Sequence, residues 1–305
     1  MNNFLNKFVR NSISIALTQK TGNTVNQSIF KFKNKYRQIY RFIYGTANDQ
    51  AVLDSLLEKL NGKPDILMIH SSLNNMMPMY VGNPGNLLSL IITYCKQNNI
   101  TLAMPALFDR SNAEAKKHYE NGKNIFDVRK TISETGLLSE MFRRTKDVKR
   151  SVHPTHSVCA LGPLADELTK DHHLSTTTCG EGTPFGKMIH YRTMILGLGA
   201  KVDSLTQVHS AEDILKDKFP ISLFTGTIPV TCIDESGNTI IKNLKIKNPQ
   251  YVIDTKSSYR ILKRMKLIRW TYKGIPFFLT EAGVVTKTFI EAARNGKTIY
   301  KKIKY

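Results

Sequence analysis

Three short polar segments of this sequence carry residue types suited to acid–base or acyl-transfer chemistry. His209-Ser210-Ala211-Glu212 sets an imidazole and a carboxylate three residues apart, on one face if the stretch is helical. A carboxylate beside an imidazole stabilises the imidazolium, so the pair suits a general base; a solvated helical pair would read the same way. Arg150-Ser151-Val152-His153-Pro154-Thr155-His156-Ser157 gathers a guanidinium, two imidazoles and three hydroxyls, with Pro154 biasing His153 toward extended backbone. Zinc could use His153 and His156, but no carboxylate or thiol stands at a convincing spacing, and no metal is expected. His70-Ser71-Ser72 offers hydroxyls and backbone N–H groups to a carbonyl or phosphate, or simply caps a turn.

Two further features are weaker. The glycine-rich stretch Gly180-Glu181-Gly182-Thr183-Pro184-Phe185-Gly186 lets a ligand approach the backbone closely, or makes a tight connection. Cys179 beside it has no activating partner in the sequence and reads as a bystander. The fingerprints of dinucleotide sites, P-loops and nucleophile elbows are absent.

The elements that must position these groups alternate short apolar strands with helices. Ala51–Leu60 reads as an amphipathic helix stopped by Asn61-Gly62, and Asp65–His70 as a buried strand. A helix over Leu87–Lys96, a strand over Thr101–Met104, a helix over Ser133–Arg144 and a strand over Thr193–Leu198 follow. After Phe219 the pattern turns to hairpins, with Ile228–Asp234 and Thr239–Ile246 around Ser236-Gly237-Asn238. The predicted fold is a layered α/β/α sandwich around a central mixed sheet, with a β-rich C-terminal part. One domain over 47–305 follows a basic N-terminal extension, 1–46. Within that extension Ile29, Phe32, Tyr36, Ile39, Tyr40 and Ile43 share a helical face among lysines and arginines. Such a helix docks on its own domain or lies on anionic lipid, which opens peripheral membrane contact through residues 28–44.

Charge is concentrated at the two ends. The chain has 305 residues and a net charge of +20. Residues 2–41 contain eight basic and no acidic residues, and residues 242–305 hold sixteen against three, so the middle is near neutral. No zinc-finger or basic-zipper spacing is present, and nucleic acid is not expected as a partner. Four scattered cysteines suggest reduced thiols, and no run approaches the roughly 18 apolar residues of a bilayer span. The expected location is the cytoplasm, with the inner membrane face open to the N-terminal helix; a homo-oligomer is left open.

Taken in order, these motifs resemble the aminoglycoside 3-N-acetyltransferase family. The resemblance rests on H-S-S-L at 70–73, M-P-A at 104–106 and E-T-G-L-L-S-E-M-F-R-R at 134–144. It continues through R-S-V-H-P-T-H-S-V-C-A-L-G-P at 150–163, G-x-G-T-P-F-G-K at 180–187, I-L-G-L-G at 195–199 and H-S-A-E at 209–212. It is strong over about 48–215 and loose beyond. The resemblance implies acetyl-CoA as donor and a small-molecule amine as acceptor, with His209 as catalytic base and Glu212 as its partner. It also implies Ser71 and Ser72 near the acyl group, and Arg150, His153 and Ser157 beside the pantetheine arm. Thr183 joins the serines as a candidate oxyanion donor.

The charge bears on the acceptor. Aminoglycosides are polycations, and a chain of +20 would repel them. The expectation is therefore an anionic amino-sugar derivative, nucleotide- or lipid-linked, in surface-polysaccharide assembly. True aminoglycoside acetylation, conferring antibiotic resistance, is the alternative; a non-catalytic membrane- or nucleic-acid-binding module is a further one.

Overall fold

The computed structural model describes residues 22–108 and 125–303, with side chains from residue 28. Its strands are β1 (Ile66–Ser71), β2 (Thr101–Pro105), β3 (Ile125–Asp127), β4 (Lys149–Arg150), β5 (Val158–Leu161) and β6 (Thr193–Leu198). They continue as β7 (Phe224–Ile233), β8 (Thr239–Lys247), β9 (Tyr251–Ile253), β10 (Ile268–Tyr272), β11 (Ile275–Glu281) and β12 (Tyr300–Lys302).

Strand β1 is apolar throughout because both of its faces are covered. Leu67 and Ile69 enter one core with Val52 and Leu56 of helix Asp49–Leu57, Leu88 and Ile91 of Pro84–Gln97, and Phe142 of Leu137–Arg143. Ile66 and Met68 enter the opposite core with Leu262 of helix Thr255–Leu262 and Val285 and Phe289 of Ala282–Arg294. Burial on both faces erases the alternation of a half-exposed strand and builds three layers. The central sheet runs β10-β11-β6-β1-β2-β5-β4, with β1 parallel to β2 and β6 and the outer pairs antiparallel. The mixed α/β/α sandwich is therefore present. The β-rich C-terminal part divides: β10 and β11 complete the central sheet, while β7 pairs with both β3 and β8 in a separate sheet around Phe126, Val230 and Cys232.

Two sequence-based boundaries move for local reasons. The helix expected from Ser133 starts at Leu137, because Gly136 sits at φ 118° and Ser133 N–H turns to the Glu140 carboxylate at 2.8 Å. The N-terminal segment is two helices, Gly22–Lys35 and Arg37–Tyr44, breaking at Tyr36. Tyr40 and Tyr44 pack against the first core, and Arg41 donates to the Pro78 carbonyl at 2.9 Å. Residues 1–21 of the expected extension lie outside the described residues. Among the described residues no helix is long and apolar enough to cross a membrane, and no cluster of His, Cys, Asp or Glu could hold a metal.

Candidate active site

The parallel strands β1, β2 and β6 end along one edge, marked by Ser71, Pro105 and Gly199. Because β5 runs antiparallel to β2 with Val158 opposite Pro105, the 151–157 loop stands at this edge too. Strand ends of this kind are where α/β sheets keep their sites, since the loops there are free to vary.

His209 closes a tight turn, Thr206–His209, that runs directly into helix Ser210–Leu215. The turn is pinned by two buried side chains. The Gln207 amide nitrogen lies 3.0 Å from the Phe185 carbonyl, the Ser210 hydroxyl and the Thr286 hydroxyl. Asp213 accepts from the backbone N–H of Thr178 at 3.0 Å and of Cys179 at 2.6 Å, tying the helix to the 177–180 loop. The spacing read from the sequence then does its work. His209 Nδ1 meets Glu212 Oε1 at 2.7 Å, and Glu212 is only 6% exposed. A proton on Nδ1 facing the carboxylate leaves the Nε2 lone pair free to accept another. Burial would push the Glu212 carboxyl up, but His209, Lys247 and hydrogen bonds from His209 and Tyr300 outweigh it and hold it below its ordinary value.

Tyr300 was not visible as a site residue in the sequence. Its hydroxyl donates to Glu212 Oε1 at 2.5 Å, lies 3.3 Å from His209 Nδ1, and accepts from Lys247 Nζ at 3.3 Å. Burial, then the neighbouring Glu212, raises the phenol well above its usual range, so it acts as a neutral donor. Strand β12 delivers it by pairing with β9, Tyr300 opposite Ile253. No local motif announces that contact, nor those of Gln207, Asp213 and Lys247.

Beside His209 opens a cleft of about 120 Å³, bounded by Asp203, Thr206, Ile253, Ser258 and Phe289 among others. The residues lining it include one carboxylate, Asp203, and no lysine or arginine.

The remaining candidates divide into free and committed groups. The Ser71 and Ser72 hydroxyls, half-buried at the end of β1, are committed to no partner among the described residues. Ser72 N–H is engaged with the Leu198 carbonyl at 2.9 Å. Arg150 instead points inward. Its guanidinium donates to the carbonyls of Ala106 at 2.9 Å and Val128 at 3.2 Å, to that of Thr131, and to Ser157 Oγ at 2.9 Å. Ser157 passes its own proton to Ala106 O at 2.6 Å, so both residues clamp the loop to the two sheets. His153 is buried, accepts from Thr155 and His156 N–H through Nδ1, and stacks on His172 at 4.6 Å. Thr183 caps its own turn between the Gly180 carbonyl and Gly186 N–H. The glycine-rich loop is a tight connection here, because a Cβ on Gly186 would lie 2.0 Å from the Gly180 oxygen. Cys179 is buried, and burial followed by Asp213 raises its thiol well above the ordinary value, consistent with a bystander.

The family model for aminoglycoside 3-N-acetyltransferase matches residues 68–262. The aminoglycoside N(3)-acetyltransferase III of Serratia marcescens is 32% identical over 178 residues, covering 53% of this chain and 64% of that protein. A second such relative, from Salmonella sp, is 29% identical, with 60% of its length covered. Among solved structures, AAC-IIIb in a binary complex with CoASH superposes with a TM-score of 0.65 over 83% of this chain and 98% of that one, at 20% identity. AAC-VIa bound to sisomicin gives 0.65 over 83% and 99%, at 19% identity. At those identities the superpositions establish the fold.

These matches overturn the expectation of a nucleotide- or lipid-linked amino-sugar acceptor in polysaccharide assembly, since both the family model and the relatives are aminoglycoside acetyltransferases. The physical error lay in using net charge for local charge. The excess of cations sits in the N-terminal segment and the C-terminal third, not among the residues lining the cleft at His209. The chain belongs to the aminoglycoside 3-N-acetyltransferase family.

Proposed function

We propose that this chain transfers the acetyl group of acetyl-CoA to an amine of an aminoglycoside. The observation that carries the reading is the buried His209–Glu212–Tyr300 network beside a cleft free of lysine and arginine. An ammonium has no lone pair for attack, so the acceptor first loses one proton to solvent, and the neutral amine that remains needs a base as it attacks. His209 Nε2 takes the amine proton as nitrogen bonds to the thioester carbonyl carbon. Glu212 holds the ring and balances the imidazolium, and Tyr300 holds Glu212. Collapse of the tetrahedral species breaks the C–S bond, and the imidazolium returns its proton to the leaving thiolate to give CoASH.

The uncommitted Ser71 and Ser72 hydroxyls, at the end of β1, are the candidate donors for the developing oxyanion. Arg150 and Ser157 serve the donor indirectly, by fixing the loop that carries His153 and His156 at the same sheet edge. Asp203, exposed at the cleft, offers one counter-charge to an acceptor ammonium. The match spans under two thirds of the curated relatives, so acceptor position and antibiotic range are read from this site alone.

The test is thiol release from acetyl-CoA across a panel of aminoglycosides, with the acetylated nitrogen located by NMR. Turnover on at least one antibiotic, lost by about 10²–10⁴-fold in His209→Ala, supports the reading. Turnover that survives the substitution, or a panel with no acceptor while acetyl-CoA binds, sinks it.

A further inference from the structure

The helix Arg37–Tyr44 is docked on one side only. Tyr40 and Tyr44 face the first core, Tyr44 packs against Gly274, and Arg41 is tethered to Pro78. On the outward side Phe42 is 92% exposed and Ile39 54% exposed. Backbone hydrogen bonds from Tyr36 to Phe32 and from Tyr40 to Tyr36 carry the helical path through the break at Tyr36. Lys31, Lys35, Ile39 and Phe42 therefore follow one another at four-, four- and three-residue steps along one face, and all four are exposed. Tyr36, also exposed, flanks the row, and Lys35 lies 5.6 Å from the Tyr36 ring.

A lone exposed aromatic needs no explanation, but this one lies in a row with a second large apolar residue and two lysines. The sequence contains no acidic residue before Asp49, whereas residues 2–41 hold eight basic ones. The catalytic network uses none of them. We propose that this face docks the protein on an anionic lipid surface, with Ile39 and Phe42 entering the interface and Lys31 and Lys35 meeting the headgroups. Basic side chains bordering an apolar edge are the composition of an interfacial helix, and the cations supply attraction that falls off within a Debye length. Charge alone would equally suit nucleic acid, but Ile39 and Phe42 have no role against a phosphate backbone.

The full chain is mixed with phosphatidylcholine vesicles containing or lacking 30% phosphatidylglycerol and sedimented. Binding is expected only with phosphatidylglycerol, at least tenfold weaker in 0.5 M salt. The paired substitutions I39S/F42S and K31Q/K35Q should each weaken it at least tenfold while leaving the melting temperature unchanged. Failure to sediment with either vesicle overturns the proposal, as does equal binding by I39S/F42S. A concentration-dependent dimer abolished by I39S/F42S would make the face a contact between copies instead, and retention on duplex DNA without vesicle binding would assign the cations to nucleic acid. None of these readouts depends on acetyl transfer.

Discussion

Glu212 Oε1 receives two partners, His209 Nδ1 and the Tyr300 hydroxyl, and the competition between them sets how firmly the carboxylate holds the ring. Tyr300 draws charge from that oxygen. Replacing it with Phe leaves the carboxylate held by His209 alone and loosens the ring, so kcat should fall about tenfold with little change in KM. The groups facing Tyr300 are Glu212, Asp213, the Cys179 thiol and Lys247, and only the first three oppose ionisation of the phenol. An unchanged kcat in Tyr300→Phe would make Tyr300 a packing residue. Glu212→Gln keeps the shape but removes the balancing charge, and should cost on the order of 10²-fold in kcat with little change in KM. An intact kcat would remove Glu212 from the mechanism. His209 and Glu212 were legible because three residues of helix bring them together. Tyr300 was not, since it lies 91 residues from His209 and only the pairing of β12 with β9 delivers it.

Among the elements, the 150–157 segment shows most clearly where sequence reading stops. A dense polar loop looked like a ligand surface, yet Arg150 is spent on the carbonyls of Ala106, Val128 and Thr131 and on Ser157. Residue type says that a guanidinium can fork; it does not say toward what. Arg150→Ala leaves several buried acceptors without donors, at about 1–3 kcal/mol for each one stranded, so a loss on the order of 3 kcal/mol is expected in urea unfolding. Lysine should recover little, because one ammonium cannot reach acceptors spread across two sheets. A variant as stable as the parent would mean that the clamp carries no load. The strand Thr193–Leu198 was read to its ends because its apolar run meets turn residues on both sides. Ser133–Gly136 was misread because helix-forming neighbours masked a glycine held at positive φ and a capping contact from Glu140.

The whole molecule carries its own pH dependence. Burial lowers His70 to about 4 and His172 to about 3, and burial followed by the charge of His172 lowers His153 well below its ordinary value. These rings are neutral in the fold and protonate near pH 6.5 once unfolded, so the unfolded chain binds more protons as pH drops. Their contribution is complete above about pH 6.5 and is lost toward pH 4, at up to about 1.4 kcal/mol per ring per pH unit. The lowered carboxyl of Glu212 adds a loss at still lower pH, whereas the raised carboxyl of Asp213 works in the opposite direction. The urea midpoint should fall steeply between pH 7 and pH 5; a flat midpoint would show that the rings are not held neutral.

The distance in sequence between His209 and its clamp also has a consequence for biosynthesis. Strand β6 finds its antiparallel neighbour only at residues 275–281, and the Glu212 carboxylate finds its phenol only at residue 300. A nascent chain that has emerged from the ribosome through Glu212 owns its base and its carboxylate but neither the sheet neighbour nor the tyrosine that orders them. On the proposed reading, a chain cut before residue 275 lacks both partners and should show far less thiol release than the full chain, which a truncation series would measure.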